Sequence, residues 1–125
     1  MKLSCGTDIT EISRIKEAIE KNGEAFLKEI FTQNEIDYCE SKGIAKYQHY
    51  TARFAGKEAI YKAISPLLND KYEVTWQNAE ILNNETGKPY VVFHDVKFED
   101  RIKDIDISIS HSKENAVVYV VLSYE

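Results

Sequence analysis

Apolar residues recur at two different periods along this chain, and the period changes near Tyr72. Residues 3–7 read as a short extended segment. A helix is predicted after Asp8, because Ile12, Ile15 and Ile19 fall on one helical face and Asp8 with Glu11 has the spacing of a capping box. Phe26, Leu27, Ile30 and Phe31 make a second, shorter amphipathic segment. Thr32-Gln33-Asn34-Glu35 is a stronger capping box, opening a helix that Gly43 could close. Residues 45–64 then carry Tyr47, Phe54, Ala55, Ala59, Ala63 and Ile64 at helical spacing. Ser65-Pro66 ends that long helix, since the residue before a proline avoids the helical region.

Beyond Tyr72 the period is two. Segments 79–82 and 89–93 flank Asn83-Asn84-Glu85-Thr86-Gly87-Lys88, which reads as a hairpin loop. Ile105, Ile107 and Ile109 alternate with Asp106, Ser108 and Ser110, the pattern of a half-buried strand. Lys113-Glu114-Asn115 turns the chain, and 116–122 is apolar on both faces, so cover on both sides is expected, one of them from another subunit. Helices first and strands last define an α+β class: N-terminal helices, one of them long, packed on a mostly antiparallel sheet.

A length of 125 residues is that of one domain, 1–125, without repeat or linker. Sixteen basic against 21 acidic residues leave a net charge of −5, which argues against nucleic acid as a partner, since such binding rests on many phosphate contacts by Lys and Arg. No apolar run is long enough for a membrane span, and Met1-Lys2-Leu3-Ser4-Cys5-Gly6 lacks the apolar stretch of a signal peptide. The two cysteines, Cys5 and Cys39, stand far apart with no metal-ligand spacing, so neither zinc nor a disulfide framework is expected. A reducing, cytoplasmic setting is the expectation.

Four short blocks carry residues capable of chemistry, and each also has a plain structural reading. In Gly6-Thr7-Asp8-Ile9, Asp8 is either a helix cap or a metal ligand, with Gly6 permitting close approach of a partner group. In Arg53-Phe54-Ala55-Gly56-Lys57-Glu58-Ala59, Glu58 lies four residues before Lys62, the order of a solvated ion pair. Yet Ala55, Gly56 and Ala59 strip bulk from around Glu58, so this helix could also meet a phosphate. Asp8 and Glu58 together would make a magnesium site, because Mg²⁺ takes one or two carboxylates plus substrate phosphate. In Asn84-Glu85-Thr86-Gly87-Lys88-Pro89 the loop is either a simple hairpin or a phosphate seat, with Lys88 the cation and Gly87 freeing nearby backbone N–H groups. In Ile107-Ser108-Ile109-Ser110-His111-Ser112, His111 is either a surface histidine or part of an anion seat. Neighbours on a strand face opposite ways, so Ser110 and His111 are poorly placed as a nucleophile pair.

The order and spacing of these blocks, with Arg14 after Ile12 and with Ile30-Phe31-Thr32-Gln33-Asn34-Glu35, closely resemble the holo-acyl-carrier-protein synthase family of phosphopantetheinyl transferases, over essentially the whole chain. The resemblance implies that family's fold and a Mg²⁺-dependent transfer of 4′-phosphopantetheine from coenzyme A to a serine of apo acyl carrier protein, releasing adenosine 3′,5′-bisphosphate for fatty acid biosynthesis. By position it implies Asp8 and Glu58 as magnesium ligands, with Glu58 also the base for the carrier serine, and Lys62 as the lysine at the reacting phosphates. It implies Gly87, Lys88, Pro89, Ser110 and His111 as coenzyme A contacts, His111 at the 3′-phosphate, with Arg53 a further phosphate contact. Arg14 matches a carrier-docking position, which Lys21 could extend by two turns. It also implies a homotrimer whose active sites lie between subunits. The chain departs from the family pattern at Thr7 and Gly56, where an aliphatic residue and an alanine are expected, and Glu17, Glu20 and Glu24 lie among the basic residues Arg14 and Lys21 of the docking helix. Two rival readings share parts of this set: a nucleotide-binding module without turnover, and a magnesium-dependent phosphohydrolase.

Overall fold

A computed structural model describes residues 1–125. The chain begins with strand β1 (Lys2–Glu11), continues through helices α1 (Ile12–Asn22), α2 (Glu24–Ile30), α3 (Gln33–Glu40) and α4 (Lys46–Ile64), and ends with strands β2 (Ala79–Asn83), β3 (Pro89–Phe93), β4 (Ile102–His111) and β5 (Asn115–Tyr124). β1, β5 and β4 form one antiparallel sheet with β5 in the middle, and β2 and β3 form a separate hairpin.

The first strand is twice as long as the sequence pattern indicates. β1 pairs with β5 from Lys2↔Tyr124 to Glu11↔Asn115, so Asp8 sits inside a ladder and is not the cap of a helix. Helix α1 starts four residues later, with Glu11 as an N-cap that makes no side-chain bond. In place of a cap, the Ile12 N–H donates to the carbonyl of Glu114 in the β4–β5 turn, at 2.9 Å. Pairing with a strand more than a hundred residues away overrides the local capping signal.

The second capping box is present as the sequence implies. The Glu35 N–H donates to Thr32 Oγ1 at 3.2 Å, and the Thr32 N–H donates to Glu35 Oε1 at 2.8 Å. Helix α3 ends at Glu40, ahead of Gly43, whose positive φ of 58° instead opens the turn into α4.

Helix α4 is buried around most of its circumference. Ala55, Ala59, Ile60 and Ala63 pack with Ile81, Ile107, Val118, Val120 and Leu122 in the main core, while Tyr50 joins Ile15, Ile19, Ile30, Phe31 and Cys39 in a smaller one. Small residues on α4 let β1 come very close. A Cβ at Gly6 would lie 2.9 Å from both the Ala63 nitrogen and Lys62 Cβ, and would overlap the Ala59 carbonyl. Gly6 therefore serves a close approach, with helix backbone as the partner group.

In β5, Ala116, Val118, Val120 and Leu122 are buried against α4, but Val117, Tyr119 and Val121 on the other face are 39, 45 and 37% exposed. Cys5, Thr7 and Ile9 of β1 stand opposite these three in the ladder, and Asp106, Ser108 and Ser110 of β4 stand opposite them on the other side. The cover expected for both faces of this strand is supplied by the chain itself on one face only.

Candidate active site

The even-numbered residues of β1 face α4, and this brings Asp8 against the second half of that helix. Asp8 Oδ1 lies 3.6 Å from Lys62 Nζ, which also donates to the Thr7 carbonyl at 2.9 Å. Thr10, two residues on and so on the same face of the strand, donates its hydroxyl to Asp8 Oδ2 at 2.7 Å. Glu58 lies one turn before Lys62 on α4. Burial holds the Glu58 carboxyl above the usual range, the negative charge of Asp8 pushes it further up, and the cations Lys62 and Arg14 oppose the shift. Asp8, Glu58 and Lys62, read from separate blocks of sequence, thus share one neighbourhood at the strand–helix junction. Arg14 belongs to it as well: the guanidinium projects from α1 to within 5.7 Å of the centre of the Phe54 ring.

No group of three or more His, Cys, Asp or Glu side chains gathers anywhere in the chain. Two carboxylates near enough to influence each other's charge suit a hard cation that keeps water and takes its remaining oxygens from phosphate. Asp8 and Glu58 are the residues that could hold such an ion.

The other blocks lie apart from the acids. Asp8, Val118 and Ile109 form one row across the sheet, so β4 is two strand spacings from β1, about 10 Å. Ser110 pairs with Val117 on the outer face, the opposite side from Asp8. His111 is on the inner side, close enough to the first half of α4 that its charge, after burial and the cations Arg53 and Lys42, helps hold the His49 imidazole below its usual range. Ser112 closes the turn by accepting the Glu114 and Asn115 N–H groups. Lys88 pairs with Asp106 at 2.9 Å, both exposed, and this bond holds the Asp106 carboxyl below its usual range.

Two readings of these blocks change with the structure. Gly87 has φ 88°, but it does not free the loop's N–H groups: Gly87 N–H donates to the Asn84 carbonyl, and the Thr86 and Lys88 N–H groups both donate to Asn84 Oδ1. What the loop, with Pro89 behind it, offers outward is the Lys88 ammonium. Arg53 is held inside the chain. It is 2% exposed, its Nη2 donates to Asn83 Oδ1 at 2.5 Å, its guanidinium lies 4.2 Å from the centre of the Tyr38 ring, and its Nε is buried without a partner. The hairpin that shields it is remote in sequence, which is why its burial is not legible locally.

Lys57, next to Glu58, has a role that its local sequence does not signal. Its ammonium is fully buried and spends three bonds, on Glu35 Oε1, the Trp76 carbonyl and the Ala79 carbonyl, each at 2.8 Å. Glu35 also accepts the Ile81 N–H at 2.9 Å, so the capping glutamate of α3 locks α4 to the hairpin. Adjacent residues of one helix therefore divide the work: Lys57 fixes the scaffold and Glu58 lies toward Asp8.

Two neighbouring carboxylates and a lysine at the junction of strand and helix, in an α+β chain of this topology, are a set that could serve transfer of a phosphate-containing group. The family description that matches residues 4–121 is the 4′-phosphopantetheinyl transferase superfamily, and the chain belongs to it. Within that superfamily its relatives are holo-[acyl-carrier-protein] synthases. One from Ruminiclostridium cellulolyticum is 43% identical, covering 98% of this chain and 93% of its own, and one from Thermodesulfovibrio yellowstonii is 42% identical over 94% and 96%. Among solved structures, a holo-(acyl-carrier-protein) synthase from Bacillus anthracis in complex with CoA (3′,5′-ADP) is 33% identical, covers 98% of this chain and 96% of its own, and superposes with a TM-score of 0.79. That from Neisseria meningitidis is 27% identical over 96% and 97%, with a TM-score of 0.84. The chain is an enzyme of this transferase family.

Proposed function

We propose that residues 1–125 act as one domain that moves 4′-phosphopantetheine from coenzyme A to a serine of apo acyl carrier protein, releasing adenosine 3′,5′-bisphosphate, with a magnesium requirement, in cytoplasmic fatty acid biosynthesis. The observation that carries this reading is the convergence of Asp8, Glu58 and Lys62 from β1 and α4. A relative of this size and fold is complexed with CoA (3′,5′-ADP), which supports coenzyme A as donor.

A bound Mg²⁺ would neutralise negative charge on the diphosphate. The chain's own groups do the positioning. Asp8 and Glu58 supply the oxygens that hold the ion, and Thr10 fixes the Asp8 carboxylate. Lys62 brings a positive charge to the oxygens on the leaving side. Glu58 is the carboxylate at hand to take the proton of the carrier serine. Lys88 and His111 are the cations available to the donor's phosphates, with Gly87, Pro89 and Ser110 around them. Arg14 and Lys21 on the exposed side of α1 present positive charge to an acidic carrier.

Ser110 and Asp8 occupy opposite faces of the sheet, and the outer face carries the exposed apolar stripe Val117, Tyr119 and Val121 of β5. A homotrimer in which the Gly87 and Ser110 blocks of one subunit meet Asp8 and Glu58 of the next accounts for both facts.

The test is a mass measurement on apo carrier protein after incubation with coenzyme A and magnesium. A gain of one phosphopantetheine group, lost on chelation and lost in Asp8→Ala and Glu58→Ala, is expected. Full transfer by either variant refutes the reading, and release of phosphopantetheine without carrier assigns the site to hydrolysis instead.

A further inference from the structure

The first half of α4 carries a group of basic side chains with no acid among them. Arg53 is buried, yet its charge meets no carboxylate: Nη2 donates to Asn83, and Nε is buried without a partner. His49 precedes Arg53 by one turn and so shares its face of the helix. Both bear on Tyr38 of α3. The guanidinium lies 4.2 Å from the centre of that ring, and the His49 ring stands nearly perpendicular to it with centres 5.6 Å apart. The Lys42 ammonium, just beyond α3, lies 4.6 Å from the same ring centre. His111 approaches from the end of β4, near enough for its charge to act on His49. None of the chain's ion pairs includes Lys42, His49, Arg53 or His111. The nearby Glu40 is already engaged, by the Tyr50 hydroxyl at 2.7 Å and by Lys46 at 3.4 Å.

A buried cation without a counter-ion is costly, and a bound anion relieves that cost. The donor in the proposed reaction carries such an anion in its 3′-phosphate, a monoester with close to two negative charges and three acceptor oxygens. His49 stands about 14 Å along α4 from Glu58, so this cluster serves a different group of the donor from the one that reacts.

We propose that His49, which lies outside every block singled out in the sequence, is a further donor-binding residue that closes this seat over the 3′-phosphate and sets the preference for coenzyme A over dephospho-coenzyme A. The proposal rests on the transferase reading above and adds a second imidazole to His111. The seat is linked to a proton. Facing His49 are Tyr38 and Lys42 from the α3 side, Arg53 on α4 and His111 on β4. Burial first, then Arg53, Lys42 and His111, hold its imidazole below the usual range, so it is neutral in the free chain near neutral pH. A phosphate dianion among the same groups reverses that balance and draws a proton onto His49. The contribution of His49 to binding is therefore full at low pH and is lost as pH rises through the titration of the bound state.

Calorimetric titration of the wild-type enzyme with coenzyme A and with dephospho-coenzyme A, in two buffers of different ionisation enthalpy near neutral pH, reads affinity and proton uptake together. Wild type should prefer coenzyme A, and His49→Gln should cut that preference about tenfold while its affinity for dephospho-coenzyme A is unchanged. The variant should take up fewer protons with coenzyme A, and its affinity should fall less steeply than that of wild type between about pH 6 and about pH 8; the phosphate's own titration is common to both proteins. His49→Phe, which keeps a ring against Tyr38, replaces the first variant if that one fails to fold. An unchanged preference or an unchanged proton count overturns the inference, and so does equal weakening of both donors, which marks a structural role. A wild type without preference overturns it as well, while transfer to the carrier stands. If the carrier is never modified, the transferase reading falls and this inference with it.

Discussion

Gly56 lies in the middle of α4, where the family pattern leads one to expect alanine, and the structure explains what replaces the missing methyl. A Cβ at Gly56 would overlap Cδ1 of Ile81, a fully buried side chain, while Ile107 Cδ1 and Val118 Cγ1 stand 3.8 Å away in ordinary contact. The Ile81 methyl thus fills the space that an alanine would occupy. Gly56→Ala gains about 1 kcal/mol of helix propensity but overpacks the core at a cost of about 1–3 kcal/mol, for a net loss of up to about 2 kcal/mol. Ile81→Val removes that same methyl and costs about 0.5–1.5 kcal/mol as a cavity. In the double variant the new methyl replaces the old one, both penalties cancel, and about 1 kcal/mol of helix propensity remains. With an unfolding entropy of about 2.1 cal/mol/K per residue over 125 residues, 1 kcal/mol corresponds to about 4 °C in Tm. Calorimetric melts at matched protein concentration should therefore place both single variants at or below wild type and the double variant about 4 °C above it. A double variant whose shift equals the sum of the single shifts, with no coupling between the sites, would refute the reasoning.

Removing the scaffold lysine should be severe: Lys57→Met leaves Glu35 buried without its cation and should cost about 3–5 kcal/mol, read as a fall of roughly 12–20 °C in Tm. A fall of less than about 4 °C would show that the pair contributes little. Gly6→Ala should force β1 off α4 and carry Asp8 away from Glu58 and Lys62, lowering kcat about a hundredfold while far-ultraviolet circular dichroism is kept; unchanged kcat would mean that the close approach does not position the acids. The Cys39 thiol is fully buried and burial pushes it up to about 12, so iodoacetamide should leave it unlabelled in the folded enzyme at neutral pH and modify it only in denaturant. Labelling at the unfolded rate without denaturant would contradict that burial.

What the sequence disclosed was whatever local spacing controls. Thr32 and Glu35 are three residues apart and cap α3 as their pattern says, and Ser65-Pro66 stops α4 within a residue of the expected place. The hairpin formed by β2 and β3 closes on Asn84 as a turn-rich segment should. What long-range pairing controls was hidden. Nothing near Asp8 announces that β5 will extend the first strand past it, and nothing near Lys57 or Arg53 announces that a hairpin 22 and 30 residues on, respectively, will bury them. Helix α4 itself was legible from the helical spacing of its apolar residues, but a helix enclosed on most sides does not show which face meets which partner. The candidate site was legible by another route: the order of its blocks resembles a known family, and the fold then supplies the reason that Asp8 and Glu58, fifty positions apart, come together.

Helix α4 also dictates where this chain can change length. From Arg53 to Lys62 it holds, in succession, the guanidinium under the hairpin, the lysine that ties the hairpin down, the glutamate of the acid pair, the alanine carbonyl that Gly6 touches and the lysine that meets Asp8. Loss or gain of one residue there would turn everything downstream by about 100° and slide it 1.5 Å, sending each group to the wrong neighbour at once. Insertions are tolerable at the exposed loop around Glu85 or in the stretch near Tyr72, but the residue count of α4 between Arg53 and Lys62 is fixed by geometry.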